Sequence, residues 1–408
     1  MIFHLSTKTT KLKAEIAISG SKSESNRLLI LQQLINGLEI ENISDSDDSK
    51  YLEKALTTSD ELINIGHAGT AMRFLTSYFS IQKNREVVLT GSDRMQNRPI
   101  EILVKALQDL GADISYVDKI GYPPIRIKGT KLIKDKVQIN GNVSSQYISS
   151  LLLIASSLPN GLEIELLGKI TSVPYINMTL SLLQELGIET EFNANKIIVK
   201  PLKKATSKKI VVESDWSSAS YFYSLVAMSE IGSEINISSY KKDSLQGDSC
   251  LAEIYNHFGV KTVFNQQSIR LIKEKTHNSK LITQNLKNAP DIAQTIVVTC
   301  FGLGISCDLS GLHTLKIKET DRLVALENEL TKLGATISVT EESLHLKASS
   351  AIKENIEIET YNDHRMAMAF APLALKVPIT ILDANVVTKS YRNFWKDLQQ
   401  IGFQIDSK

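Results

Sequence analysis

LVKALQDLG at 103–111 decides how this chain is read. Its apolar residues at 103, 107 and 110 share one helical face, and Gly111 suits the position that ends a helix. The pattern returns as TLSLLQELG (179–187), LAEIYNHFG (251–259), LENELTKLG (326–334) and FWKDLQQIG (394–402), with Thr179 in the first slot of its copy. A strand-like alternating run follows each one: ADI, IET, VKT, ATI and FQI. Internal repetition of this kind fixes an architecture before any single element is assigned.

A second set of helices interleaves with the first. SNRLLILQQL, GTAMRFLTSYF, SSQYISSLLLIAS, WSSASYFYSLVAM, PDIAQTIVVTC and DHRMAMAFAPLAL are rich in small residues, which predicts burial; they begin near 22, 70, 145, 216, 290 and 363. The amphipathic helices begin near 48, 98, 174, 248, 320 and 391, giving six helix pairs with strands between them. One interval is short: from 22 to 70 the segment ending in SDDSKYLEKALTTSDELINI lacks its glycine and a strand pair. The expectation is an α/β chain of six helix-pair/strand units, three in each of two similar domains. The boundary is placed near 212, before ESDWSSAS, so that 21–212 form one domain and 1–20 with 213–408 the other. SGS at 19–21 then reads as a hinge strand, and the active-site cleft is expected between the domains.

Composition excludes several classes. Lys and Arg total 46 against 45 acids, so no bulk field draws nucleic acid or anionic membrane, and any anion binding must be local. Cys250, Cys300 and Cys307 form no CxxC pair or disulfide framework, which suits a reducing cytoplasm. MIFHLSTKTTKLKAEIAI has no apolar core of a signal peptide, and YISSLLLIASSL at 147–158 is too short and too rich in serine to span a bilayer. No metal-ligand cluster is read, and a cytoplasmic protein is expected.

The unusual polar residues gather at helix starts: Lys22, Ser23 and Arg27; Gly69, Thr70 and Arg73; Arg98; Ser144, Ser145 and Gln146. Ser172 and Tyr175, Asp291, Lys318 with Glu319 and Arg322, His364 with Arg365, and Lys389 continue the series. Helix N-termini carry unpaired N–H groups and the positive dipole end, which favour phosphate or carboxylate. Arg adds a bidentate fork and Lys a mobile charge. Taken singly, a serine at a helix start is a cap and KETDR an ordinary charged surface run. Their combination points to anionic substrates.

In order along the chain stand GSKSESNR, GHAGTAMRF, LTGSDRMQNRPI, VSSQ, SVPYI, PDIAQT, KETDRL, YNDHRMAM and the Lys389 segment. Together they resemble the 5-enolpyruvylshikimate-3-phosphate (EPSP) synthase family over essentially the whole chain. The resemblance implies a two-domain inside-out α/β barrel. It also implies transfer of enolpyruvyl from phosphoenolpyruvate to the 5-hydroxyl of shikimate 3-phosphate, releasing phosphate, on the route to chorismate and aromatic amino acids. It implies no cofactor and no metal, small-molecule substrates only, and a monomer is expected.

By the same resemblance Lys22, Ser23, Arg27, Ser144, Ser145, Gln146, Ser172, Tyr175, Thr314 and Lys318 hold phosphoshikimate, with Asp291 beside its reacting hydroxyl. Lys22, Gly69, Arg98, Gln146, Arg322, Arg365 and Lys389 hold phosphoenolpyruvate, and His364 is a further candidate. Addition and elimination through a tetrahedral intermediate need a base for the hydroxyl and an acid for the methylene carbon. Asp291 is the expected base. Glu319 is the expected acid, although Lys318 and Arg322 nearby oppose its protonation and leave Lys22 as the other donor.

Four residues depart from the family pattern. His67 stands for Asn, Phe74 for Pro, Val173 for Lys and Thr314 for Asn. Two other readings use the same scaffold. An enolpyruvyl transferase acting on UDP-N-acetylglucosamine fits less well, since Ser23 follows Lys22 where that family has Asn, and its loop cysteine is absent. A catalytically inactive phosphometabolite-binding protein would explain His67 and Thr314, yet Asp291, Glu319 and Lys22 are all present.

Overall fold

Gly111, Gly187, Gly259, Gly334 and Gly402 all take left-handed φ, from +78° to +113°, in a computed structural model that describes residues 1–170, 173–204, 207–277 and 279–407. They terminate Glu101–Leu110, Val173–Glu185, Tyr255–Phe258, Arg322–Lys332 and Phe394–Ile401, as a residue without Cβ can at no steric cost. The 251–259 copy is not one regular helix. Leu251–Ile254 forms a single α turn between the 3-10 turns Gly247–Cys250 and Tyr255–Phe258. The tighter winding brings Asp248 to the Ser217 hydroxyl and Tyr255 to Thr299, both on other helices.

The small-residue helices form the centres. Lys22–Leu34, Gly69–Ser80 and Ser145–Ala155 pack together, and Ala293–Leu303 packs against both Trp216–Met228 and His364–Phe370. Every residue of Trp216–Met228 is buried. Serines and threonines permit the close approach, and their hydroxyls find one another: Ser77 meets Ser150 at 2.5 Å, Ser220 meets Thr295 at 2.9 Å, and Thr299 donates to Ser224 at 2.8 Å. These buried hydroxyls are thereby satisfied.

Sheets enclose these helices. Among the described residues five sheets have four strands and one has two. Each larger sheet follows one rule, as in the order Leu62–Asn64, Glu86–Thr90, Ile125–Lys128, Asp113–Tyr116: the first neighbours are parallel, the others antiparallel. The two-stranded sheet, Lys208–Val211 parallel to Leu38–Glu41, is the abbreviated first unit without its hairpin. Phe3–Ser6 lies between Ile379–Ile381 and Gln404–Ser407, while Lys13–Ile16 pairs with Glu234–Ser238 in another sheet.

The chain divides into two compact units. One is contiguous, Gly20–Val212; the other is split, Met1–Ser19 with Glu213–Lys408. Each has its own apolar core.

The split unit also buries Lys273, whose Nζ donates to the carbonyls of Ala227 at 2.6 Å and Phe258 at 2.7 Å. Burial lowers its pKa from 10.5 to about 8, and Lys376 adds to the effect. Between those values the unfolded chain binds the proton and the folded one does not, so this group adds stability as pH rises through that window. Denaturant melts should therefore show the wild type gaining on Lys273→Met between about pH 8 and 10. A constant gap between the two would mean that the ammonium stays charged.

Candidate active site

In the contiguous unit, Lys22 opens the helix Lys22–Leu34 and its Nζ lies 3.6 Å from Asp48 Oδ2. Five residues on, Arg27 is buried. Its Nε donates to Thr179 Oγ1 (2.7 Å), its Nη1 to the Ser23 carbonyl (2.7 Å), and its Nη2 to Ser149 Oγ (3.0 Å) and the Tyr175 carbonyl (3.3 Å). Phe74 and Tyr175 lie under its guanidinium at 5.5 and 6.0 Å. Burial lowers its pKa to about 10, against the pull of Tyr175 and Glu24. Arg27 therefore ties Ser149, Thr179 and Tyr175 to the first helix as well as carrying charge.

Gly69 begins the helix Gly69–Ser80, and a Cβ there would lie 2.5 Å from Arg98 Nη1. Only glycine lets that guanidinium rest on the helix start. Arg73 behind it is buried, donating to the carbonyls of Gly69 (3.0 Å) and Pro99 (3.2 Å), with its pKa lowered to about 10 by burial and then by Arg98. Tyr147 donates to the same Pro99 carbonyl at 2.7 Å, fixing the chain next to Arg98. Ser144 caps Ser145–Ala155, and Gln146 reaches across to Thr70 Oγ1 at 3.1 Å. His67 packs edge-on to Tyr51 at 5.9 Å, and its buried Nε2 has no hydrogen-bond partner. Ser172 lies outside the described residues.

The split unit concentrates charge more sharply. Asp291 precedes Ala293–Leu303 in the turn Pro290–Ile292. Its Oδ1 lies 2.9 Å from Arg322 Nη1 and 3.4 Å from Lys318 Nζ, and its Oδ2 is 3.4 Å from Arg365 Nη2. Arg322 is only 2% exposed and meets two further acids, Asp363 at 2.6 Å through Nε and Glu319 at 2.7 Å through Nη2. Burial alone would depress its pKa, but Asp363, Glu319 and Asp291 outweigh burial and raise it. Glu319 keeps about a third of its side chain open to solvent, at 32%.

NDHRM does more than cap a helix. Tyr361 and Asn362 are both left-handed, at φ +53° and +56°, a conformation costly for residues with a Cβ. The turn they make presents Asp363, whose carboxylate caps His364–Phe370 and also grips Arg322. Lys389 Nζ donates to the Asn362 carbonyl at 2.7 Å and braces that turn. His364 is buried, with Nδ1 3.8 Å from Asp363. Thr314 sits in His313–Ile317 with its buried Oγ1 unpartnered.

The structure thus brings Asp291, Lys318, Glu319, Arg322 and Arg365 into one network, braced by Lys389 through the Asn362 turn. Asp48, Ser217, Asp248 and Asp363 belong to these networks but were not singled out from sequence. Asp363 was visible inside the NDHRM motif; nothing in the local sequence marks Asp248 or Ser217.

The profile of the family described as EPSP synthase (3-phosphoshikimate 1-carboxyvinyltransferase) matches residues 51–398. A 3-phosphoshikimate 1-carboxyvinyltransferase of Bacteroides fragilis (strain YCH46) is 43% identical, covering 98% of each chain. One of Histophilus somni (strain 2336) is 34% identical over 96% of this chain and 97% of its own. The chain belongs to the EPSP synthase family. Its fold matches that of the EPSP synthase of Acinetobacter baumannii over the full length of both, with a TM-score of 0.84 at 21% identity. The enolpyruvyl transferase NikO of Streptomyces tendae shares the fold at a TM-score of 0.74 and 12% identity.

Proposed function

We propose that this chain transfers the enolpyruvyl group of phosphoenolpyruvate to the 5-hydroxyl of shikimate 3-phosphate and releases phosphate. The observation that carries the reading is the Asp291 carboxylate held against Lys318, Arg322 and Arg365 in a chain of this family. Asp291 takes the proton of the 5-hydroxyl as its oxygen bonds to C2 of phosphoenolpyruvate, while C3 gains a proton. Elimination then breaks the bond from C2 to the phosphate oxygen, and a methyl proton leaves to restore the double bond.

Lys22, Gly69, Arg98, Gln146, Arg322, Arg365 and Lys389 hold phosphoenolpyruvate. Lys22, Ser23, Arg27, Ser144, Ser145, Gln146, Ser172, Tyr175, Thr314 and Lys318 hold phosphoshikimate. Four of the five N–H donors of Arg27 are spent on protein acceptors, which leaves one on Nη1 for the substrate, and the buried Thr314 hydroxyl has no protein partner. Glu319 supplies the proton to C3, since its partly exposed carboxyl can be recharged from solvent; Lys22 is the second donor, and His364 is a further candidate site residue. Glu319→Gln should lower turnover about 10²–10⁴-fold if Glu319 is that donor. Retained turnover would move the role to Lys22. The protein acts on small molecules as a monomer in the cytoplasm, without nucleic acid, membrane or cofactor. Among the described residues no helix is long and apolar enough to cross a membrane.

Mixing the pure protein with both substrates should release inorganic phosphate. Binding of both without release would mark a binding protein on the same scaffold. Gly69→Ala should displace Arg98, raising the KM for phosphoenolpyruvate about tenfold, which corresponds to about 1.4 kcal/mol. An unchanged KM would place Arg98 outside the substrate's reach.

A further inference from the structure

Asp248 is buried in the turn Gly247–Cys250. The Ser217 hydroxyl donates to its Oδ2, and the same hydroxyl accepts from Arg365 Nη2 at 3.1 Å. One serine oxygen therefore joins a buried acid to the guanidinium that also faces Asp291 at 3.4 Å. We infer that Asp248 is a positioning residue which, through Ser217 and Arg365, couples phosphoenolpyruvate binding to the uptake of a proton on its own carboxyl. This rests on the reading that Arg365 holds phosphoenolpyruvate.

The surroundings explain the coupling. Burial pushes the Asp248 carboxyl up to about 7, Asp291 and Asp215 push the same way, and Arg365 and the Ser217 hydrogen bond pull it down. Asp215 caps the helix that carries Ser217 and Tyr221, and on Asp248's own turn the Cys250 thiol is pushed up to about 12 by burial and by Asp248. Arg365 is thus the one cation among the groups that set the charge of Asp248. An anion laid on Arg365 cancels much of its pull, so the carboxyl binds a proton from solvent more tightly. Linkage requires the converse: ionising Asp248 weakens binding of that anion.

The experiment measures the KM for phosphoenolpyruvate, with shikimate 3-phosphate saturating, from about pH 6 to pH 9. In the wild type it should rise several-fold above about pH 7, approaching tenfold per unit for full coupling. Asp248→Asn mimics the protonated acid, so its KM should stay low and nearly flat across that range. Ser217→Ala keeps the acid but removes the bond that favours its ionised form, so the midpoint should move to higher pH. If Asp248→Asn fails to fold, the Ser217→Ala shift alone decides. A wild-type profile retained in either variant overturns the inference, as does a folded Asp248→Asn without turnover at any pH. A wild type that releases no phosphate overturns the proposed activity, and this inference with it.

Discussion

Asp291→Asn should lower phosphate release about 10²–10⁴-fold, the range general-base removal typically costs. The amide keeps the shape of the side chain but cannot take the hydroxyl proton. It also removes the negative charge shared by Lys318, Arg322 and Arg365. Those three cations are then freer to attract an anion, so the KM for phosphoenolpyruvate should stay constant or fall. Steady-state rates with each substrate varied in turn will separate the two effects. Turnover within about threefold of wild type would remove Asp291 from the base role. Equal losses in kcat and melting temperature would make it a structural acid instead.

Arg322→Met is expected to have the largest effect on stability. Arg322 is the partner of Asp363, which is itself fully buried, and of Asp291 and Glu319. Its removal strands an uncompensated carboxylate in the interior, at a cost of about 3–5 kcal/mol. For a unit of this size each kcal/mol is worth roughly 2–4 °C of melting temperature, so calorimetry should find a fall of roughly 6–20 °C. A fall under about 2 °C would mean that Asp363 becomes neutral at little cost once its partner is gone. The same loss should loosen the helix His364–Phe370, since Asp363 caps it.

The five glycine-ended segments were legible because two independent signals agree at each of them. The i, i+4, i+7 spacing names a face, and the glycine names the end. The exception, 251–259, carries that pattern but is wound more tightly, and Asp248, which accepts from Ser217, and Tyr255, bonded to Thr299, meet partners on other helices. Strand partners were less legible. Lys208–Val211 joins Leu38–Glu41 across about 170 residues, and three- or four-residue strands leave little pattern to match. Resemblance supplied the charged residues at the helix starts, but not how their donors are spent. Arg27 is satisfied by Thr179 and Ser149, more than 120 residues away, so its burial follows from packing rather than from GSKSESNR. Asp248 has no periodicity to announce it, and its shifted titration arises from burial, which no local sequence encodes.

The strands Phe3–Ser6 and Lys13–Ile16 complete sheets whose other members lie between residues 234 and 407. During synthesis on the ribosome, Gly20–Val212 can close its own core as soon as its last strand emerges. Lys13–Ile16 must meanwhile wait for Glu234–Ser238, and Phe3–Ser6 until Ile379–Ile381 and Gln404–Ser407 have been made. Unpaired edges of this kind invite wrong pairing in the nascent polypeptide. A circular permutant with new ends near residues 19 and 20, its old termini joined, would make those strands late in synthesis rather than first and should fold with less aggregation.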